Sequence, residues 1–112
     1  MFLKGKTAIV TGSTSGIGLA YAKAFAAEGA TVVINGFGDA DAIEQARAGL
    51  AVASDADALY DAADMTKPDQ IAAMVERAAR ECGSVDIVVN NAGIQHVSPI
   101  DEFPDEKMEA VL

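Results

Sequence analysis

A glycine- and hydroxyl-rich segment near the N-terminus has the residue types and spacing of a phosphate-binding turn. It reads Thr11-Gly-Ser-Thr-Ser-Gly-Ile-Gly18. Gly12 permits a tight turn, Gly16 lets backbone amides approach a pyrophosphate closely, and Gly18 lets a helix lie against a sheet. Amides at the start of a helix near Ser15 would supply the positive pole that phosphates prefer. The segment therefore predicts a dinucleotide-binding turn, and the alternative is a Gly/Ser-rich connection without a ligand.

Three other polar groups stand directly after apolar runs, where parallel strands would end. They are the segment Asn35–Gly38, Asp64 with Met65, and the segment Asn90–His96. In open parallel sheets, ligands bind beyond the carboxyl ends of the strands. We therefore expect these segments and the glycine turn to face one crevice. No His/Cys cluster indicates a metal site, and Cys82 is expected to pack in the core.

Apolar periodicity predicts strands that alternate with helices. The strands are expected over 7–11, 31–34, 58–63 and 85–89, with a loop over 90–99. A helix is expected after the first strand, another over 39–53, and a third that Thr66 caps. The predicted core face of the first helix is Ile17, Ala20, Tyr21, Ala24 and Phe25. The predicted core face of the third helix is Ile71, Met74, Val75, Ala78, Ala79 and Cys82.

This alternation implies right-handed crossovers and therefore an α/β fold. We expect a Rossmann-like doubly wound parallel sheet, truncated after the fourth strand. The expected strand order is 3-2-1-4, which puts residues 7–11 at the centre and residues 85–89 at an edge. The length of 112 residues allows one hydrophobic core.

The composition excludes several classes of protein. With 51% hydrophobic and 22% charged residues, the chain is neither disordered nor collagen-like. A formal charge of -9 disfavours nucleic acid and anionic membrane surfaces as partners. No apolar run approaches the ~20 residues of a membrane-spanning helix, and no export signal is visible. The short apolar runs favour a soluble protein, and because a single cysteine cannot form an internal disulfide, we expect a reducing compartment, the cytoplasm.

The glycine turn, Asp64 and the sequence Asn90-Asn-Ala-Gly93 together resemble the classical short-chain dehydrogenase/reductase family, from Lys6 to the end of the chain. Within that family, Asn35–Asp39 and Gly93–Pro99 are most similar to the bacterial D-3-hydroxybutyrate dehydrogenases. The resemblance implies an oxidoreductase that interconverts a small hydroxy acid and its keto acid, and a homo-oligomer as the full-length enzyme. The alternatives are a 3-oxoacyl thioester reductase using NADPH, and an NAD-binding or interaction module without chemistry.

The resemblance also implies a role for each matched residue. The turn around Ser13–Ile17 would hold pyrophosphate and ribose, and Asn90 would line the ribose side. Asp64 and the Met65 amide would read the adenine edge, although an acid also suits a solvated helix start. Gln95 would donate to the substrate carboxylate, and His96 is expected to brace the loop rather than titrate. The predicted cofactor-binding set is Gly12, Ser13, Thr14, Ser15, Gly16, Ile17, Gly18, Phe37, Asp64, Met65, Asn90, Ala92 and Gly93.

The charges near the turn predict which cofactor is used. A 2′-phosphate calls for Arg or Lys at the end of the second strand or in the glycine turn. Ser15 and Asn35–Gly38 supply neither, so NAD is predicted rather than NADP. Gly36 stands where NAD-specific family members often carry an acid. Phe37 is expected to pack on the adenosine, and the alternative is an ordinary hydrophobic loop residue.

The residues that catalyse hydride transfer in the family are a Ser, a Tyr and a Lys four positions after the Tyr. Here Tyr21 is followed four positions later by Phe25, and Tyr60 by Asp64. Both tyrosines also precede the Asn90 loop, whereas the family places its catalytic Tyr after it. We therefore expect residues 1–112 to be the N-terminal, dinucleotide-binding half of a single Rossmann-fold domain, with no catalytic residue in this chain.

Overall fold

A computed structural model describes residues 2–91 and 97–99. They form strands that alternate with helices along the chain, as predicted. The elements are β1 (Thr7–Val10), α1 (Gly16–Ala27), β2 (Thr31–Asn35), α2 (Ala40–Ser54), β3 (Ala58–Asp61), α3 (Pro68–Cys82), β4 (Ile87–Val89) and β5 (Val97–Pro99). None of these helices combines the length and the apolar character that crossing a bilayer requires.

The strands form one sheet in the order β3-β2-β1-β4-β5. β1 lies between β2 and β4 and is parallel to both, and β3 is parallel to β2. The predicted Rossmann-like fold and the order 3-2-1-4 are confirmed. The carboxyl ends of these four parallel strands therefore lie at the same end of the sheet. The candidate site residues come directly after these strand ends in the sequence.

The prediction of a loop over 90–99, with residues 85–89 at the sheet edge, is wrong. Val97–Pro99 forms β5, which pairs antiparallel with β4 and sets Ser98 opposite Val88. A strand of three residues contains a single alternation of side chains, so periodicity in the sequence does not reveal it. β4 is therefore an inner strand in the described part of the chain.

The two faces of the sheet carry separate cores, because successive residues of a strand point to opposite faces. One core, under α1 and α2, comprises Val10, Ala22, Ala26, Ala30, Val32, Ile34, Ile43, Leu50, Ala58 and Val89. The other core, under α3, comprises Ile9, Val33, Ala63, Met74, Ala78, Val85 and Val88. The sheet is thus covered by helices on both faces, as a doubly wound fold requires.

The predicted core face of α1 is wrong in part. Gly18, Ala22 and Ala26 are the buried residues of this helix, and Tyr21 and Phe25 are partly buried. The other three predicted residues, Ile17, Ala20 and Ala24, are exposed. The buried residues recur every four positions and are all small, so the helix backbone lies close to the sheet. The predicted face therefore included Tyr21 and Phe25 correctly but missed the small buried residues beside them.

The predicted face of α3 is largely confirmed, but its cap is not. Ile71, Met74 and Ala78 are buried, Val75 and Cys82 are partly buried, and Ala79 is exposed. Burial raises the pKa of the Cys82 thiol, which suits a packing role. The helix is preceded by Lys67 without a side-chain cap. The Thr66 hydroxyl donates instead to Asp64 Oδ1, 2.7 Å away, so the prediction that Thr66 caps the helix is wrong.

Candidate functional site

The segments that follow β1, β2 and β3 surround a cavity of about 370 Å³, which we call the crevice. Its lining residues are Gly12, Thr14, Ser15, Asn35, Gly36, Phe37, Ala63, Asp64, Met65 and Thr66. A larger cavity of about 610 Å³ lies between α1 and α2, away from the strand ends. The crevice is the stronger candidate site because backbone turns, hydroxyls and a carboxylate converge there.

The glycine turn has the backbone conformation that its sequence predicts. Gly12 and Gly16 have φ of 59° and 61°, a region that side chains rarely adopt. A Cβ built on Gly16 would meet no atom within 4 Å, so the turn is open at this point. A Cβ on Gly18 would lie 2.1 Å from the Gly12 carbonyl oxygen, so α1 packs directly on the turn. The Ser15 side chain does not cap α1, which leaves the first amides of the helix free of that competitor for an anion.

Ser13 and Asn35 join the turn to the end of β2 by buried hydrogen bonds. The Ser13 N–H donates to the Asn35 carbonyl over 2.6 Å, and the Asn35 N–H donates to Ser13 Oγ over 2.9 Å. The Ser13 side chain is fully buried. Its hydroxyl therefore supports the turn, and hydroxyl contacts with a phosphate would have to come from Thr14 and Ser15, which are half-buried and exposed.

The sequence analysis placed the segment Asn35–Gly38 at the crevice but assigned no role to the Asn35 side chain. Its Nδ2 donates to the carbonyl oxygens of Asp61 and Ala63, both 3.0 Å away. Its Oδ1 accepts from the Gly12 N–H at 3.4 Å. One amide thus ties together the ends of β1, β2 and β3. A buried asparagine closing an apolar strand was the available signal, since such a side chain must find partners.

The end of β4 braces the same turn. The Asn90 side chain is buried and its Oδ1 lies 3.2 Å from the Thr11 hydroxyl. Asn91 donates from its backbone N–H to Thr11 Oγ1 over 2.9 Å, and from Nδ2 to the Gly12 carbonyl over 3.1 Å. Asn91 thus braces the glycine turn through both its backbone and its side chain. The predicted residues Ala92, Gly93, Gln95 and His96 lie outside the described residues.

Asp64 supplies the negative charge in the crevice wall. Its Oδ1 accepts hydrogen bonds from the Thr66 N–H at 2.9 Å and from the Thr66 hydroxyl at 2.7 Å. These bonds, the backbone one first, lower the pKa of the Asp64 carboxyl. The Asp64 N–H donates to Gln70 Oε1 over 2.8 Å. Asp64 is therefore an ionised, fixed acceptor beside the predicted adenine position, with Met65 next to it in the lining.

The loop after β2 forms the opposite wall. Phe37 is 73% exposed, so its ring is accessible to a ligand. Gly36 has φ of 145°, and a Cβ there would lie 2.8 Å from Thr14 Oγ1. A side chain at position 36 would therefore be strained by the backbone conformation and would press on the Thr14 side chain. No Lys or Arg lines the crevice in the described part of the chain.

This arrangement can receive the adenosine and pyrophosphate of a dinucleotide. The open space at Gly16 and the amides of α1 suit a pyrophosphate. Asp64 can accept from an amino group, and exposed Phe37 can pack on a ring system. Among the described residues, no group of three His, Cys, Asp or Glu side chains is placed to hold a metal ion.

Comparisons with known proteins identify the family of this chain. Residues 6–112 match the family described as short chain dehydrogenase. The chain is 53% identical to D-beta-hydroxybutyrate dehydrogenase of Cupriavidus necator, over 98% of this chain and 42% of that protein. It is 48% identical to D-beta-hydroxybutyrate dehydrogenase of Rhizobium meliloti, over 96% of this chain and 42% of that protein.

A solved structure shares the fold. It is a short chain dehydrogenase from Burkholderia cenocepacia in complex with NADP, which is 38% identical, with a TM-score of 0.76. The match covers 100% of this chain and 45% of that one. The chain thus spans about 42% of the length of the curated relatives it matches.

Proposed function

Since this chain belongs to the short chain dehydrogenase family, we propose that the intact protein is an NAD-dependent oxidoreductase acting on a small hydroxy acid. The favoured reaction is the interconversion of D-3-hydroxybutyrate and acetoacetate. In this proposal, residues 1–112 supply the cofactor-binding half of a single Rossmann-fold domain. The observation that carries it is the crevice at the strand ends, whose glycine turn and Asp64 suit the adenosine and pyrophosphate of such a cofactor.

The choice of NAD rests on charge. Among the described residues that line the crevice, Asp64 is the one ionisable side chain, and its carboxyl has a lowered pKa and is negative at neutral pH. No arginine or lysine among the described lining residues could balance the 2′-phosphate of NADP, and Asp64 adds a negative charge to the same crevice. Gly36 has no side chain that could bind the ribose hydroxyls. An uncharged ribose therefore suits this crevice better than a phosphorylated one.

The substrate proposal rests on the relatives and on one loop residue. Two relatives at 53% and 48% identity are D-beta-hydroxybutyrate dehydrogenases. Gln95 is proposed to donate to the substrate carboxylate beside the nicotinamide. The cofactor supplies hydride transfer, and this chain's residues bind and orient it. The catalytic Ser, Tyr and Lys, which include the general acid, are proposed to lie outside residues 1–112. The expected homo-oligomer stays a prediction.

A second candidate is a 3-oxoacyl thioester reductase using NADPH. It is favoured by the structural neighbour from Burkholderia cenocepacia, which is in complex with NADP. The two candidates differ in both cofactor and substrate, so one set of assays separates them.

The test measures kcat/KM of the intact protein from the absorbance of the reduced nicotinamide. NAD with D-3-hydroxybutyrate is compared with NADPH and acetoacetyl thioester, and L-3-hydroxybutyrate is the matched control for stereochemistry. We expect turnover with NAD and the D enantiomer. Turnover of the thioester but not of the hydroxy acid would establish the second candidate. A protein that binds NADH but turns over none of these substrates would favour a non-catalytic NAD-binding module.

A further inference from the structure

Tyr60 on β3 holds the loop after β2, although it does not line the crevice. Its hydroxyl donates a hydrogen bond of 2.6 Å to the Gly36 carbonyl oxygen. The Thr14 hydroxyl donates one of 2.9 Å to the next carbonyl, that of Phe37. Two consecutive peptide groups of the crevice wall are therefore fixed by donors from different elements, β3 and the glycine turn.

The bond from Tyr60 also sets the direction of an amide. The peptide between Gly36 and Phe37 is trans, so its carbonyl and its N–H point in opposite directions. With the carbonyl held toward Tyr60, the Phe37 N–H points away from Tyr60. Gly36 and Phe37 line the crevice and Tyr60 does not, so we take an N–H directed away from Tyr60 to face the crevice. No described residue accepts a hydrogen bond from it.

We propose that Tyr60 is a positioning residue that aims the Phe37 N–H at the 2′-hydroxyl of the adenosine ribose. This inference rests on the proposed function, since it takes the ligand to be NAD. An acid after the second strand usually accepts from this hydroxyl. Position 36 is a glycine and offers no such side chain, and the φ of 145° together with the 2.8 Å approach of Thr14 Oγ1 would strain one there. A backbone N–H that donates to the hydroxyl oxygen takes its place.

Tyr60 is itself held at two points, as a positioning residue must be. Its ring packs against the core under α1 and α2. Its carbonyl oxygen accepts from Arg77 Nη1 over 2.9 Å, and Arg77 Nε is bound to Glu81 over 2.6 Å. The phenol oxygen therefore has a fixed position from which to orient the loop.

The test is calorimetric binding of NADH and 2′-deoxy-NADH to the intact protein. Tyr60→Phe removes only the hydroxyl, and Tyr21→Phe is the matched control, because Tyr21 packs partly buried against the same core. We expect Tyr60→Phe to weaken NADH binding by about 3- to 10-fold, the effect of one neutral hydrogen bond. For 2′-deoxy-NADH, we expect Tyr60→Phe and the wild type to bind equally, and Tyr21→Phe should match the wild type with both ligands.

A loss that persists with 2′-deoxy-NADH, or no loss with NADH, overturns the inference and leaves the proposed function intact. If the wild type binds neither dinucleotide, the proposed function and the inference both fail. Gly36→Ala provides a second perturbation of the same peptide, should Tyr60→Phe not fold. Its Cβ would press on Thr14 and turn the Phe37 N–H, so the preference for NADH over 2′-deoxy-NADH should again disappear.

Discussion

Two glycines inside helices provide a sharp test of how closely α1 packs on the turn. Gly18 lies in α1 and is buried, and Gly49 lies in α2 and is exposed. An added Cβ at Gly18 would lie 2.1 Å from the Gly12 carbonyl oxygen and 2.7 Å from Asn91 Nδ2. An added Cβ at Gly49 would meet no atom within 4 Å. The same change to alanine should therefore have opposite effects at the two sites.

The magnitudes follow from helix propensity and from overpacking. Alanine in place of a helical glycine stabilises by about 1 kcal/mol, which should be the whole effect of Gly49→Ala. Overpacking a buried site costs about 1–3 kcal/mol or more. Because a backbone oxygen cannot move aside as a side chain does, Gly18→Ala belongs at the upper end. After the gain in propensity, we expect Gly18→Ala to lower the free energy of unfolding by about 2 kcal/mol.

Urea denaturation of the intact protein measures both variants, with circular dichroism as the signal. Gly49→Ala serves as the control for the general effect of a methyl group in a helix. A Gly18→Ala variant as stable as Gly49→Ala would refute the reasoning, because the turn and α1 would then not be in contact. The added Cβ is expected to displace the Gly12 carbonyl. A stable Gly18→Ala variant with normal NADH affinity would therefore also contradict the close packing of α1 on the turn, because Gly12 would not have moved.

The glycine turn and the substrate loop give two further predictions. Gly16→Val should weaken NADH binding at least 10-fold, because φ of 61° disfavours a branched residue and the added methyl groups fill the open space at the turn. Calorimetry measures the affinity, with Tyr21→Phe as the control. Unchanged affinity would mean that the turn is not part of the site. Gln95→Ala should lower kcat/KM for the hydroxy acid through the loss of about 1.5–3 kcal/mol of a charge-assisted hydrogen bond, with NADH affinity unchanged. Equal kcat/KM in the variant and the wild type would mean that another residue holds the carboxylate.

The fold was predictable because its sequence signals are local and strong. β-branched runs at 7–10 and 31–34 end at polar residues, and α1 and α3 end near Gly29 and Gly83. The right-handed crossover then leaves few possible strand orders. The three glycines of the turn could likewise be assigned individually, because each one has a distinct conformational or steric reason to lack a side chain.

The remaining features depend on contacts between residues far apart in sequence. The core face of α1 is made of Gly18, Ala22 and Ala26, which an apolar count passes over in favour of larger side chains. The roles of Asn35 and Tyr60 arise from partners 24 to 28 residues away, the carbonyls of Ala63 and Gly36. Local patterns identify the elements that form a site, whereas such long-range hydrogen bonds decide how its walls are held.

At the outer edge of the sheet, two arginines that are paired with glutamates bind the carbonyl oxygens of the edge strand β3. Unpaired carbonyls on an edge strand invite another chain to add a strand. On β3, the Ala58 carbonyl accepts from Arg47 Nη1 over 3.0 Å, and the Tyr60 carbonyl accepts from Arg77 Nη1 over 2.9 Å. Each arginine is held in turn by a glutamate of its own helix. Strand addition at β3 would have to break both contacts, so these ion pairs protect the edge more than they add stability, which for exposed pairs is small.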